Sequence, residues 1–243
     1  MIDIHCHILP MLDDGASDWS ESLAMARLAV SSGVAAIVAT PHFQGDLQSL
    51  ELMPKLLARY EKLTTLLARQ QIPLKLFPGA EILCTPETVS MAQQHMLPTL
   101  GKSNYLLVEF LFSESEEFIT DTLAALANCG YRPVLAHPER YEAVQQCPKL
   151  VEDLFFHGII IQLDKSSLMG NFGSDAEETA LWILRRGLAH VIASDAHGIR
   201  HRTTDMIDLR RFLLENCPPK YVEVLLVNNP ARILTNQEMF PTT

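Results

Sequence analysis

The chain has 243 residues, 48% of them apolar, with 29 Asp and Glu against 19 Lys and Arg, for a formal charge of -10. That length suits one large α/β domain or two small ones, and the apolar share is enough for a sizeable core. The acidic balance argues against a sequence-independent nucleic-acid binder. It would also repel a phosphorylated substrate unless bound cations reverse the local sign. Cys6, Cys84, Cys129, Cys147 and Cys217 are scattered, odd in number and never spaced C-x-x-C. They speak against a disulfide framework or a thiolate zinc site, and suit a reducing cytoplasm. The start MIDIHCH has neither a basic segment nor a long apolar run, so no signal peptide is expected. No apolar run approaches the ~20 residues that span a bilayer.

In chain order, MIDIH (1–5) reads as a strand. A helix follows from Asp18 to Ser32, with Asp18 and Glu21 spaced as a capping box and Gly33 as the stop. AAIVAT (35–40) reads as a buried strand. Leu52, Leu56, Tyr60, Leu63 and Leu67 then repeat at helical spacing, in a helix that ends before Pro73. LKLFPG (74–79) is the third strand and YLLVEF (105–110) the fourth, followed by a helix that buries Ile119, Leu123 and Leu126 and stops at Gly130. RPVLAH (132–137) is the fifth strand; a helix near 142–156 leads to GIIIQL (158–163). Ser174 and Glu177 have the spacing of a second capping box, opening a helix that stops at Gly187. HVIASD (190–195) is the seventh strand, and helical turns fill the chain to about Leu234. Seven β–α units with continuously apolar strands predict a parallel sheet buried on both faces. The rhythm never pauses for a linker, which favours one barrel over residues 1–243, although rhythm alone does not distinguish a closed ring from an open doubly wound sheet.

His5-Cys6-His7 puts two imidazoles at i and i+2 of a strand, both on one side. Alone, such a pair is weak evidence for a metal. However, His42 follows the second predicted strand, Glu81 the third, Glu109 lies at the end of the fourth and His137 at the end of the fifth. Asp195 and His197 end the seventh, and Asp14 lies in the loop after the first. The C-terminal ends of parallel strands in a barrel converge on one face, so these nine side chains are expected to meet. A lone His or carboxylate at a strand end is ordinarily a solvated or capping residue, and His95, His157, His190 and His201 are assigned no metal role. Nine together, imidazole mixed with carboxylate, read as a divalent-metal centre. Other mechanisms lack their residues. No cysteine stands six positions before an arginine, as a thiolate phosphatase requires. There is no G-x-S-x-G elbow, no phosphate-binding G-x-x-x-x-G-K-[ST] loop and no G-x-G-x-x-G turn.

The ordered segments IDIHCHILPMLDDG, ATPHF, PGAEI, LLVEF, HPERY, SLMGNFG and SDAH resemble the polymerase and histidinol phosphatase (PHP) superfamily. The chain is most similar to its bacterial protein-tyrosine phosphatases of capsule and exopolysaccharide operons, from Ile2 to His197. The resemblance implies a distorted (β/α)7 TIM-like barrel with three divalent ions, Mn2+ first, with Fe or Zn2+ as alternatives. It implies His5, His7, Glu81 and Asp195 around the first ion, with Glu81 bridging to a second completed by Glu109 and His137. Asp14, His42 and His197 would hold the third, with Asp13 behind them. Arg140 in HPERY and Arg202 after SDAH are the implied phosphate ligands, and Arg200 is the competitor for the second of these. At the loop after the sixth strand, where the family is often small and neutral, this chain has Asp164-Lys165. Three divalent ions add about +6 against about -4 from the four carboxylates, so an acidic protein acquires a locally positive site. The expected activity is hydrolysis of phosphotyrosine by a metal-activated hydroxide, on an autophosphorylated tyrosine kinase of polysaccharide assembly. The protein is expected to be cytoplasmic, to bind no nucleic acid, to span no membrane, and is compatible with an oligomer. The alternatives are a small-molecule phosphatase of the histidinol-phosphate type and a non-catalytic metal-binding scaffold.

Overall fold

The computed structural model describes residues 1–239, so the last four residues of the expected 1–243 unit lie outside the described residues. The first half runs β1 (Ile2–Cys6), α1 (Trp19–Ser31), β2 (Ala36–Ala39), β3 (His42–Gln44), a 3-10 turn (Leu47–Leu52), α2 (Met53–Arg69), β4 (Lys75–Pro78), β5 (Glu81–Leu83) and α3 (Thr88–Gln93). The chain continues with β6 (Tyr105–Glu109), α4 (Glu116–Asn128), β7 (Arg132–Ala136), α5 (Glu142–Gln146) and α6 (Lys149–Phe156). It ends with β8 (Ile160–Asp164), α7 (Lys165–Leu168), α8 (Ser174–Arg185), β9 (Val191–Ala193), α9 (Ile207–Asn216), α10 (Pro219–Glu223) and α11 (Asn229–Leu234).

Among the described residues all strand pairing is parallel, in a three-stranded sheet β1-β2-β4 and a six-stranded sheet β3-β5-β6-β7-β8-β9. The nine segments are seven strands, two of them interrupted. Ala39 opposes Pro78 and His42 opposes Glu81, so the register does not slip between the two sheets. The interruptions fall at Thr40-Pro41 and Gly79-Ala80. Pro41 has no N–H to donate to a ladder. A Cβ at Gly79 would come within 2.8 Å of Val38 Cγ1, so the two strands cross closely there. The ends of the strand series meet irregularly: Asp195 N–H donates to His5 O (3.0 Å), His7 N–H donates to Ala196 O (2.8 Å), and Cys6 forms a single bridge with Ala196. The expected α/β architecture with parallel strands is therefore present, with distortion at the two breaks, at the register shift between Asp3 and Cys6 where β1 pairs with β2, and at the seam between β1 and β9.

Alternate residues of the strands part to different apolar clusters. Leu107, Val134, Ala136, Ile160, Val191 and Ala193 pack with Leu100 and Ile233, while Leu106, Val108, Leu135, Ile161 and Ile192 pack with the helices. Both faces are buried, which is why the strands read as continuous apolar runs. Three local expectations are corrected. The helix near 142–156 is two helices, because Cys147-Pro148 ends the first and Pro148 starts the second. Asp18 caps α1 by accepting from Glu21 N–H (2.9 Å), but Glu21 turns its carboxylate to Ser17 N–H (2.9 Å) and not to Asp18. Ser174 caps nothing: Gly173, at φ 92°, occupies the cap of α8 and makes Ser174 the first helical residue. Among the described residues, no helix is long and apolar enough to cross a membrane.

Candidate metal centre

The nine side chains singled out at strand ends converge. His5 and His7 come from β1 and the residue after it, with their Nε2 atoms 3.3 Å apart. His5 Nε2 lies 3.1 Å from Glu81 Oε1 and 3.2 Å from Asp195 Oδ1; His7 Nε2 lies 3.2 Å from Glu81 Oε2. His42 and Glu81 are the first residues of the strand halves that resume beyond the two breaks, directly opposite one another. Glu109 is the last residue of β6; His137 follows β7 and lies 2.9 Å from Glu81 Oε1 and 3.8 Å from Glu109 Oε2. Asp14 faces His197 Nε2 at 3.3 Å and His42 Nε2 at 3.5 Å. Among the described residues, three sets have ligand atoms close enough to surround one ion each: His5, His7, Glu81 and Asp195; His42, Glu81 and Glu109; and His7, Asp14, His42 and His197. The first set is the one the resemblance implies. The other two differ from it, His42 joining the carboxylate pair where His137 was expected, and His7 joining the outer set.

Hydrogen bonds behind the rings resolve how the histidines face. His5 Nδ1 lies 2.9 Å from Gln162 Oε1, His7 Nδ1 2.8 Å from Asp13 Oδ2, and His197 Nδ1 2.9 Å from the carbonyl of Asp195. Each partner is an acceptor, so each Nδ1 carries a hydrogen and each Nε2 faces the cluster; in the neutral ring the Nε2 lone pair points there, the tautomer a divalent ion requires. His42 Nδ1 lies 3.1 Å from both Glu81 and Glu109. A neutral imidazole that donates there keeps its Nε2 lone pair for the side where Asp14 and His197 lie, which returns His42 to the outer set. Asp195 Oδ1 and His197 Nε2 are buried without a hydrogen-bond partner. A cation in each set would satisfy them, and the donor chemistry fits one.

Charge in the metal-free cluster is balanced by protons. Burial alone would lower His5 and His7, but Glu81 and Asp195, with Asp13 beside His7, outweigh it and raise both, His7 strongly. For His42, burial is outweighed by Glu109 and Glu81, and the ring is pushed up to about 10. Burial, with the charge of His7 close by, takes His197 down to about 4. Burial would raise Glu81 and Asp195, yet the surrounding histidines hold both well below the usual carboxylate range. The surroundings of Glu81 and Asp195 thus favour the ionised form that a cation requires.

Three site residues have unusual backbone. His137 (φ 35°), Asp195 (φ 46°) and Arg202 (φ 47°) all lie in the left-handed region that non-glycine residues rarely adopt. Asp195 divides its oxygens: Oδ1 faces His5, while Oδ2 takes Arg202 Nη2 and, at 3.5 Å, Arg140 Nη1. Arg200 is exposed, so Arg202 is the arginine that this loop brings to the cluster. Asp13 and Asp14 separate as well. Asp13 accepts from His7, from His42 N–H (3.0 Å) and from Gly15 N–H (2.9 Å), whereas Asp14 faces the outer set. Sequence reasoning missed Gln162, whose only signal was a polar residue in an apolar run. Lys165 is buried, and its ammonium donates to the carbonyls of Thr203 and, at 3.0 Å, Asp205, fastening the loop that carries Arg202.

The sequence profile of a family described as "Capsular polysaccharide synthesis, CpsB/CapC" matches residues 1–235. The chain is 35% identical to tyrosine-protein phosphatase YwqE of Bacillus subtilis (strain 168), covering 99% of this chain and 94% of that protein. It is 30% identical to tyrosine-protein phosphatase CpsB of Streptococcus pneumoniae, covering 98% and 99%. Among solved structures, one from work on YwqE and CpsB as metal-dependent tyrosine phosphatases superposes with a TM-score of 0.86 at 33% identity, covering 99% of this chain and 96% of that one. The lactonase Lmo2620 from Listeria monocytogenes, at TM-score 0.65 and 11% identity over 97% and 94% of the two chains, shares the fold alone. The chain belongs to the CpsB/CapC family of capsular polysaccharide synthesis.

Proposed function

We propose that this chain is a metal-dependent tyrosine-protein phosphatase, one domain over residues 1–243, acting on a phosphorylated tyrosine kinase of polysaccharide assembly. The observation that carries the reading is the convergence of eight imidazole and carboxylate side chains in three sets, with His137 beside Glu81 and Glu109 as the ninth, and three of the imidazoles hydrogen-bonded behind so that Nε2 faces inward. Relatives named as tyrosine-protein phosphatases cover nearly the whole chain. In this reading His5, His7, Glu81 and Asp195 hold one ion, Glu81, Glu109 and His137 a second, and Asp14, His42 and His197 a third. The donors are imidazole and carboxylate without thiolate, which suits Mn2+ and tolerates Fe or Zn2+. Bound there, such ions supply Lewis acidity and lower the pKa of water.

The chain's own residues do the rest. Arg140 and Arg202, both leaning on Asp195 Oδ2, present their remaining N–H groups to phosphoryl oxygens, where charge grows in the transition state. Asp195, Asp13 and Gln162 keep the imidazoles in the ligating tautomer. A phenolate leaving group, with a pKa near ~10, needs less protonation than an alkoxide, so no side chain is assigned as its acid. Five unpaired thiols fit a reducing, cytoplasmic setting. Assembly into an oligomer is compatible with this reading. The test is a steady-state comparison in Mn2+ of a phosphotyrosine peptide with histidinol phosphate. A clear preference in kcat/KM for the peptide is expected; negligible peptide hydrolysis beside rapid histidinol phosphate turnover would replace this reading with a small-molecule phosphatase.

A further inference from the structure

Two aromatic rings bear on Arg140 for which the metal centre gives no reason. The guanidinium carbon of Arg140 lies 4.3 Å from the ring centroid of Phe112 and 4.3 Å from that of Phe172, and the guanidinium carbon of Arg202 lies 5.7 Å from the Phe172 centroid. The rings arrive on separate loops. Phe112 follows β6; its carbonyl accepts from Glu142 N–H (2.8 Å), and its ring meets His137 edge to face at 6.1 Å. Its frame is therefore tied to the segment that carries Arg140. Phe172 lies between α7 and α8, flanked by Gly170 (φ 72°) and Gly173 (φ 92°), whose left-handed turns let so short a loop reverse. Phe112 is 42% exposed, so its ring lies at the surface and not within the core.

An unconstrained arginine at the mouth of a site samples many rotamers. Stacking on aromatic faces costs its N–H edge nothing, because cation–π contact uses the face of the guanidinium and leaves the in-plane donors free. We infer that Phe112 and Phe172 are positioning residues: they hold Arg140, and Phe172 also Arg202, beside Asp195 with their donor edges turned to the phosphoryl group. This rests on the proposed role of Arg140 as a phosphate ligand, and not on the ester being phosphotyrosine.

The test uses the Mn2+-loaded protein, with inorganic phosphate as the probe and its inhibition constant as the readout. Phe112→Leu and Phe172→Leu keep apolar bulk and lose the π face. Each should weaken phosphate by about five- to tenfold, raise KM by a similar factor for a phosphotyrosine peptide and for an alkyl phosphate alike, and leave metal content unchanged. Phe112→Tyr and Phe172→Tyr should restore the wild-type constants. In an Arg140→Ala background, Phe112→Leu should add less than twofold. Unchanged phosphate inhibition with KM raised for the aryl ester alone would overturn the inference, because the rings would then be reading the phenyl group. Equal losses with and without Arg140, or falling metal content, would also overturn it in favour of general packing, and Arg140→Ala without effect on phosphate would remove its premise. If the wild type ignores the peptide while the phosphate effects persist, the tyrosine-phosphatase reading fails and this inference stands.

Discussion

Asp13→Asn isolates the support behind a proposed ligand from the ligand itself. The Asp13 side chain is 5% exposed and accepts three hydrogen bonds: Oδ2 from His7 Nδ1 (2.8 Å) and His42 N–H (3.0 Å), Oδ1 from Gly15 N–H (2.9 Å). Burial alone would raise its pKa, but His7 holds it below the usual range, so an ionised carboxylate meets all three donors. Asparagine has one oxygen. If it faces His7 and His42, its NH2 confronts Gly15 N–H; reversed, it confronts His7 and His42. Either way at least one donor–donor contact replaces a charge-assisted bond, costing about 1–3 kcal/mol. That corresponds to ~10- to ~100-fold in metal affinity, the range typical for partners behind a ligand. Dialysis against graded Mn2+, with elemental analysis and phosphotyrosine-peptide assays on the same samples, reads it directly. The variant should need more Mn2+ to fill but reach the wild-type metal content and most of its activity. Asp14→Asn should instead lose an equivalent of metal at any practical concentration. If Asp13→Asn loses that equivalent and Asp14→Asn retains it, the two carboxylates have been assigned the wrong way round.

The raised pKa of His42, about 10, means that its proton must leave before Nε2 serves a metal. Mn2+ binding at pH 7 should therefore release protons, seen as a buffer-dependent heat in calorimetry, with affinity rising about tenfold per pH unit for each proton released; buffer-independent heats would contradict this. For the metal-free protein the sign follows from the same raised value. The stabilisation is complete below about 6.5 and disappears as pH rises through about 10, so chelator-treated protein should melt at progressively lower temperature across that window. Arg202→Ala should lower kcat/KM by roughly 10²- to 10³-fold with metal content intact, whereas the exposed Arg200→Ala should stay within about twofold; reversed results would move the phosphate role to Arg200. Lys165→Met strands two carbonyls that the ammonium now satisfies. It should cost about 1–3 kcal/mol of stability and raise KM through the Arg202 loop, which thermal melts and steady-state assays measure independently.

The positions of the nine candidate ligands were readable because a parallel α/β fold has one rule for where strands end, and polar residues at the ends of apolar runs stand out. Their division among ions was less readable. His42 touches both the carboxylate pair and the outer set, and only the hydrogen bond available to its Nδ1 separates the two. Asp13 and Asp14 are neighbours in sequence and differ by the path of a loop: Gly15 permits the chain to press against the His7 carbonyl, where a Cβ would collide, and that turn sends the two carboxylates opposite ways. Gln162 was illegible because one polar residue in GIIIQL is as consistent with a satisfied core amide as with support for a ligand. The inward turn of Lys165 onto the carbonyls of Thr203 and Asp205 was equally illegible, because sequence gives charge and not direction. The split at Pro148, by contrast, is legible in the sequence as a proline within a helical pattern.

Titration of metal-free protein with Mn2+ while following phosphate release from a phosphotyrosine peptide tests the central claim most directly. Hydrolysis should be absent in chelator, rise as three equivalents bind, and be abolished again when chelator is restored. Turnover that persists in chelator, or full metal loading without peptide hydrolysis, would contradict it.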